Sequence, residues 1–353
     1  MGAQATRLVP SPAMRALVLH GPDDLRLEDV PVPDPAPGEV VLQVTRALTC
    51  ATDAKMLRQG RHPALPAPPA PFGHEACGVV WAVGEGVDGV RPGDAVVVAN
   101  SAPCGECPPC RRGRPSLCED IVYLSGAYAE YLRVPARIVE RNMLPLPAGL
   151  APERAAMVEP LACAVRGVER VEAGPGDEVV VLGGGVQGTL IAGLLAARGC
   201  AVTLCDPHAG RRERALRFGA SRAMEPPRDD ASIAAVRGAH GEGRGPDAVV
   251  EAVGRPDAWE AAVALARPGG EVLLYGGCAP GTTVTLPTHP LHYGELSVRG
   301  SYHHTPGAVR AALQHLAAGD APYDELLGSE IALEEVGDVL RGGSGPKRPV
   351  RPA

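Results

Sequence analysis

The sequence predicts a two-domain α/β protein, one domain β-rich and the other a doubly wound parallel sheet. Three observations predict it. A chain of 353 residues is longer than one hydrophobic core usually serves. From Arg15 onward, short apolar runs are broken by proline and glycine, the pattern of strands joined by turns. Beyond Glu178, apolar runs of strand length alternate with segments of helix length, the order that builds a parallel sheet with right-handed crossovers. Hydrophobic residues make up 45% of the chain but aromatics only 3%, so aliphatic side chains must fill both cores.

Composition excludes several functions. A net charge of -7 provides no basic face for nucleic acid. No apolar run approaches the roughly 20 residues of a membrane span. Residues 1–13 lack the apolar centre of a signal peptide and are expected to form a disordered leader. Four of the ten cysteines cluster at metal-binding spacing, so a reducing cytoplasm is expected and a disulfide framework is not.

In the first half, Ala16-Leu17-Val18-Leu19 and Glu39-Val40-Val41-Leu42-Gln43-Val44 read as strands separated by a loop over 31–38. Cys50-Ala51-Thr52-Asp53 follows, where a ligand can be held at a strand end. The proline-rich stretch 61–72 reads as a surface loop. Next comes Gly73-His74-Glu75-Ala76-Cys77-Gly78, with further glycine at 84 and valine at 87. Together with Cys50 and the downstream Glu159, this segment offers one thiolate, one imidazole and one or two carboxylates. Such a mixed set suits zinc and leaves room for water or a substrate. Cys104, Cys107, Cys110 and Cys118 follow the spacing C-x2-C-x2-C-x7-C, which fits a closed four-thiolate zinc site of structural character. The stretch 126–135 is strand-like. Residues 152–171 read as a helix that carries Glu159 among apolar neighbours.

The second half opens with a buried strand, Glu178-Val179-Val180-Val181-Leu182, running into Gly183-Gly184-Gly185-Val186-Gln187-Gly188 and a helix. A second strand, Ala201-Val202-Thr203-Leu204-Cys205, ends at Asp206. Strand, glycine fingerprint, helix, strand and acid in this order point to a dinucleotide site. Gly183 turns the chain, Gly185 admits a pyrophosphate and Gly188 lets helix and strand pack; the helix N-terminus supplies donors and a positive dipole. The Asp206 carboxylate suits two ribose hydroxyls and repels a 2′-phosphate, which favours NAD over NADP, although Arg211 nearby could accommodate that phosphate. Later turns at Val253 and Gly276 would line the same crevice. A helix is expected near 256–266 and another near 306–318, with 347–353 an edge segment or fraying end.

These four motifs resemble those of the zinc-containing medium-chain alcohol dehydrogenases, in the branch of sorbitol-type (polyol), threonine and sugar-alcohol dehydrogenases. The likeness extends over nearly all of the chain from Met14. It implies a GroES-like zinc-containing domain over 14–160 and 296–353, with a zinc lobe at 100–119, and a Rossmann domain over 161–295. It implies two zinc ions per subunit: a catalytic one on Cys50, His74 and Glu159, with Glu75 as transient ligand, and a structural one on the four clustered cysteines. The implied reaction is reversible hydride transfer between a polar secondary alcohol (polyol, sugar alcohol, cyclitol or aminocyclitol) and NAD, giving a ketone. Thr52 would start the proton relay. His303 and His304 stand where sorbitol-type relatives carry an Arg-Tyr pair, so they are expected to face the substrate. A homodimer or homotetramer is implied. An amino-alcohol dehydrogenase and a non-catalytic zinc- and NAD-binding protein are the alternatives.

Overall fold

The computed structural model describes residues 13–61, 65, 67–343 and 345–352. The expected leader therefore lies almost wholly outside the described residues. The chain divides into two compact units, 1–162 with 305–353, and 163–304.

The first unit is built on sheets that are antiparallel except where Ile331–Ala332 pairs parallel with Pro349–Arg351. Its main sheet runs in the order Met143–Pro145, Ala95–Val98, Ala76–Val83, Val40–Leu48, Pro349–Arg351, Ile331–Ala332, with Tyr131–Val134 also paired to Val40–Leu48. Strand Val40–Leu48 is the centre. It pairs with Ala76–Val83 through Val40↔Val83 to Ala47↔Ala76, and it ends where Cys50 begins the helix Ala51–Gln59. Two register shifts in that pairing let Gly78 approach the partner strand, because a Cβ there would lie 2.2 Å from Gln43 O. The core is almost entirely aliphatic, with Phe72 and Tyr128 as buried rings within it and Tyr323 a further buried ring of the same unit.

The second unit carries a six-stranded sheet in the order Arg222–Met224, Ala201–Cys205, Glu178–Leu182, Ala248–Glu251, Glu271–Leu274, Ser297–Gly300, parallel throughout. The central strands are buried on both faces, which is why they read as unbroken runs of valine and leucine without alternation. The order reverses beside Glu178–Leu182, and in such sheets a ligand crevice opens at the strand ends there.

Three local expectations are corrected. The helix expected over 152–171 is two helices, Pro152–Ala155 and Val158–Glu169. Pro160 has no N–H to donate, and the second helix places it in its first turn, where none is needed. The return to the first unit comes at 305, later than the expected 296, because Ser297–Gly300 is the sixth parallel strand. The C-terminal segment does not fray. Pro349–Arg351 lies within the main sheet of the first unit, between Val40–Leu48 and Ile331–Ala332.

Candidate metal and cofactor sites

Cys104, Cys107, Cys110 and Cys118 converge with their sulfurs all within 4.8 Å of one another. A tetrahedron of Zn–S bonds of about 2.3 Å sets its sulfurs about 3.8 Å apart. Cys107 and Cys118 lie at 3.8 Å, and Cys118 and Cys104 at 3.5 Å. Backbone amides already face these sulfurs. Cys104 Sγ accepts from Glu106 and Cys107 at 3.4 and 3.3 Å, and Cys118 Sγ from Cys104 and Asp120 at 3.2 and 3.4 Å. The Glu106 amide, then that of Cys107, holds the Cys104 thiol down to about 6, while burial pushes Cys110 up to about 12. The lobe fits a zinc ion with all four positions filled by protein.

A second group brings Cys50, His74 and Glu75 within 4.8 Å of one another. Cys50 is the N-cap of the helix Ala51–Gln59, and its Sγ accepts from the Thr52 amide at 3.4 Å. Burial, the largest influence, works against its ionisation, yet the Lys347 charge and a His74 hydrogen bond bring the thiol down to about 7. His74 Nδ1 lies 2.8 Å from Asp53 Oδ1, on the same helix as Thr52. That bond occupies Nδ1 and leaves Nε2 to face the group, 3.9 Å from Glu75 Oε1. One thiol poised near ionisation, one imidazole held by a carboxylate and nearby acid make a donor set that fits a divalent, borderline-soft cation.

The remaining expected residues of this site fall as follows. Glu159 is buried in the first turn of Val158–Glu169 and is not a member of the tight three-residue group. Its charge nevertheless acts on both Glu75 and Lys347. Thr52 is exposed in the first turn of its helix. In the second unit, His304 is buried and His303 is half-buried with φ 58°, their rings 4.1 Å apart.

Sequence reasoning missed Lys347. Its Nζ lies 2.6 Å from both Glu75 oxygens and 3.2 Å from Thr49 O, and both members of the pair are buried. Burial works to lower the lysine pKa, but the Glu75 and Cys50 charges hold it above the ordinary value. A lysine in a basic, proline-containing tail gives no local hint of this, because only the pairing of Pro349–Arg351 with Val40–Leu48 brings it inside.

In the second unit, the loop from Gly183 to the helix Val186–Ala197 has the shape of an anion cradle. Gly183 has φ 101°, and a Cβ on Gly188 would lie 1.8 Å from Gly183 O, so that pair closes helix onto strand. A Cβ on Gly185 would meet nothing within 4 Å, which leaves open space in front of the helix N-terminus. The Asp206 carboxylate stiffens this loop. Its Oδ2 accepts from the Gly184 amide at 2.7 Å and its Oδ1 from the His208 amide at 2.8 Å. Burial opposes ionisation, but these amides outweigh it and hold the pKa below the ordinary aspartate value. Arg211 lies 3.5 Å from Asp206, and Tyr275 donates to Gln187 at 2.6 Å. Val253 is exposed beside Gly183, an apolar side chain at the sheet's reversal point, and Gly276 accepts from the Trp259 indole at 3.0 Å.

A GroES-like β unit with a four-thiolate lobe and a mixed N/O/S cluster, alongside a parallel sheet with a glycine cradle, defines a zinc-binding dehydrogenase. Comparison agrees. Residues 36–148 match the alcohol dehydrogenase GroES-like domain, and residues 187–318 match the zinc-binding dehydrogenase family. D-xylulose reductase A of Aspergillus oryzae is 30% identical over 345 residues, covering 94% of this chain and 95% of that protein. Sorbitol dehydrogenase of Bacillus subtilis is 27% identical over 95% of this chain and 94% of its own length. A zinc-binding dehydrogenase from Sinorhizobium meliloti 1021, solved bound to NADP, superposes with a TM-score of 0.89 at 30% identity, covering 97% of this chain and all of that one. The chain belongs to the zinc-binding alcohol dehydrogenase family and is an oxidoreductase. Among the described residues, no helix is long and apolar enough to cross a membrane.

Proposed function

We propose that this enzyme transfers a hydride between a polar secondary alcohol of the polyol class and NAD, releasing the ketone reversibly. The observation that carries the reading is the Cys50, His74, Glu75 cluster, with His74 Nδ1 occupied by Asp53 and Nε2 turned inward. Relatives named for sorbitol and D-xylulose support the polyol class. Cys50, His74 and Glu159 would hold a zinc ion, which supplies Lewis acidity toward a hydroxyl oxygen when bound. Glu75, neutralised by Lys347, stays beside the ligands as a reserve carboxylate for ligand exchange. Thr52, exposed in the first turn beside Cys50, passes the hydroxyl proton toward solvent. Cys104, Cys107, Cys110 and Cys118 hold a second, structural zinc, giving two per subunit.

The Gly183–Gly188 cradle takes the pyrophosphate, and Val253 packs against the cofactor. NAD is preferred over NADP for a reason of charge. Asp206 stays ionised, Arg211 lies 3.5 Å from it, and Arg212 donates to Asp206 O, Pro207 O and Glu225, so both arginines that follow the acid are already engaged. His303 or His304 faces the polar substrate, the enzyme assembles as a homodimer or homotetramer, and it works in the cytoplasm.

The test offers polyols, aminocyclitols and amino alcohols with NAD and then NADP, following the reduced-nicotinamide absorbance. Turnover with NAD that a zinc chelator abolishes is the expected result. Turnover unaffected by zinc removal, or silence across the panel in protein shown to bind NAD, would overturn the reading.

A further inference from the structure

The proposed metal centre sits on a deeper support than its ligands. Tyr128 is fully buried in the first unit, on the segment between the zinc lobe and the strand Tyr131–Val134. Its hydroxyl lies 2.5 Å from Asp53 Oδ2, with Leu48 O at 3.0 Å alongside. The other oxygen of Asp53 faces His74 Nδ1 at 2.8 Å. Burial, and after it the Asp53 charge, push the phenol well above its ordinary pKa, so the hydroxyl keeps its proton and donates it. The carboxylate thus receives one donor on each oxygen, and His74 Nδ1 must be the protonated nitrogen.

The same residue acts on His74 from a second side. Gly73 precedes the histidine with φ 91°, and a Cβ on it would lie 2.6 Å from Tyr128 Cδ2. The ring therefore lies flush against the backbone turn that aims the imidazole. Tyr128 N donates to Phe72 O at 3.0 Å, and the Gly126 and Ala127 amides donate to Gly73 O at 2.9 and 3.1 Å, which ties both segments together.

We propose that Tyr128 is a positioning residue of the metal centre: its hydroxyl fixes the Asp53 carboxylate and its ring fixes the Gly73 turn, so that His74 can present only Nε2. The proposal rests on the reading of Cys50 and His74 as zinc ligands. Partners one layer behind a ligand typically change metal affinity 10- to 100-fold when removed. A residue one layer further back belongs at the lower end, about 10-fold.

The experiment measures zinc stoichiometry and zinc release to a chromophoric chelator from the intact protein. The variants are Tyr128→Phe, Asp53→Asn, the double variant, Cys50→Ala, and Tyr131→Phe as a control tyrosine of the same unit. Tyr128→Phe keeps the ring and is expected to speed release of one of two zinc ions about 10-fold, leaving the four-cysteine zinc unchanged. Asp53→Asn should loosen the same ion further. Because Tyr128 acts through Asp53, the double variant should release it no faster than Asp53→Asn alone. Tyr131→Phe should release as the unmodified protein does. Wild-type release from Tyr128→Phe, equal loosening of both ions, or additive effects in the double variant would overturn the proposal. A protein that carries one zinc whether or not Cys50 is replaced would instead overturn the metal reading beneath it.

Discussion

Replacing Lys347 with methionine removes the ammonium that faces Glu75 while keeping the length of the side chain. The ammonium lies 2.6 Å from both carboxylate oxygens, with the lysine 5% exposed and the glutamate 0%. Deleting one partner of such a buried pair costs about 3–5 kcal/mol, because the other charge stays buried without compensation. Glu75 has an escape: burial already pushes its pKa well above 4.5, and Lys347 is the main group opposing that. Freed of the lysine, it can take up a proton. The loss should therefore be near ~3 kcal/mol at pH 6 and approach ~5 at pH 9. Trp81 and Trp259 fall one in each unit, so a Trp259→Phe background leaves Trp81, its ring tilted against that of Tyr131 with centroids 5.0 Å apart, as the reporter of the first unit. At fixed free zinc and a urea slope near ~2 kcal/mol per molar, the midpoint should fall by about 1.5–2.5 M. The double variant Glu75→Gln/Lys347→Met, which removes both charges, should recover most of that loss. A drop below ~1 kcal/mol, or a double variant as unstable as the single one, would refute the assignment of this pair as a buried ionic tie.

Three further outcomes separate the roles of the second unit's residues. Gly188→Ala drives a Cβ to 1.8 Å from Gly183 O and should destabilise that unit by at least about 1–3 kcal/mol, seen by Trp259 fluorescence, and weaken NAD binding. Gly185→Ala meets no protein atom within 4 Å, so it should leave stability unchanged yet weaken NAD binding at least 10-fold by calorimetry, through the space the pyrophosphate needs. Glu251 accepts from Val253 N and Gly254 N on one oxygen while the other, among the described residues, has no partner. Burial chiefly raises its pKa above 4.5, so the folded state favours the protonated acid. Its contribution is complete below pH 4.5 and is lost as pH rises through the folded-state value. Glu251→Gln should therefore gain in melting temperature over the unmodified protein as pH rises from 5 to 8, and an unchanging difference would refute the assignment.

What was legible in the sequence was whatever is encoded by short spacing. The cysteine lobe closes within one loop, and the glycine cradle is set by residues that follow one another between a strand and its helix. Their spacing alone therefore fixes the chemistry they can do. Cys50 and His74 come together because they flank the paired strands Val40–Leu48 and Ala76–Val83, one step beyond local pattern. The supports were not legible in the same way. Lys347 reaches Glu75 only because a C-terminal strand inserts beside Val40–Leu48, and Tyr128 reaches Asp53 only because its segment lies against Phe72 and Gly73. Neither residue differs in type from a solvated lysine or a core tyrosine. Asp206 shows the converse. It follows the end of its strand, as the apolar run predicts, but that both of its oxygens are engaged by the Gly184 and His208 amides is set by the folded loop and not by spacing. Sequence spacing thus identifies the clustered donors and the glycine turn, while the groups packed behind them are chosen by long-range packing. That is why substitutions at Tyr128 and Lys347, distant from the ligand motifs in sequence, are the ones that discriminate between readings of this site.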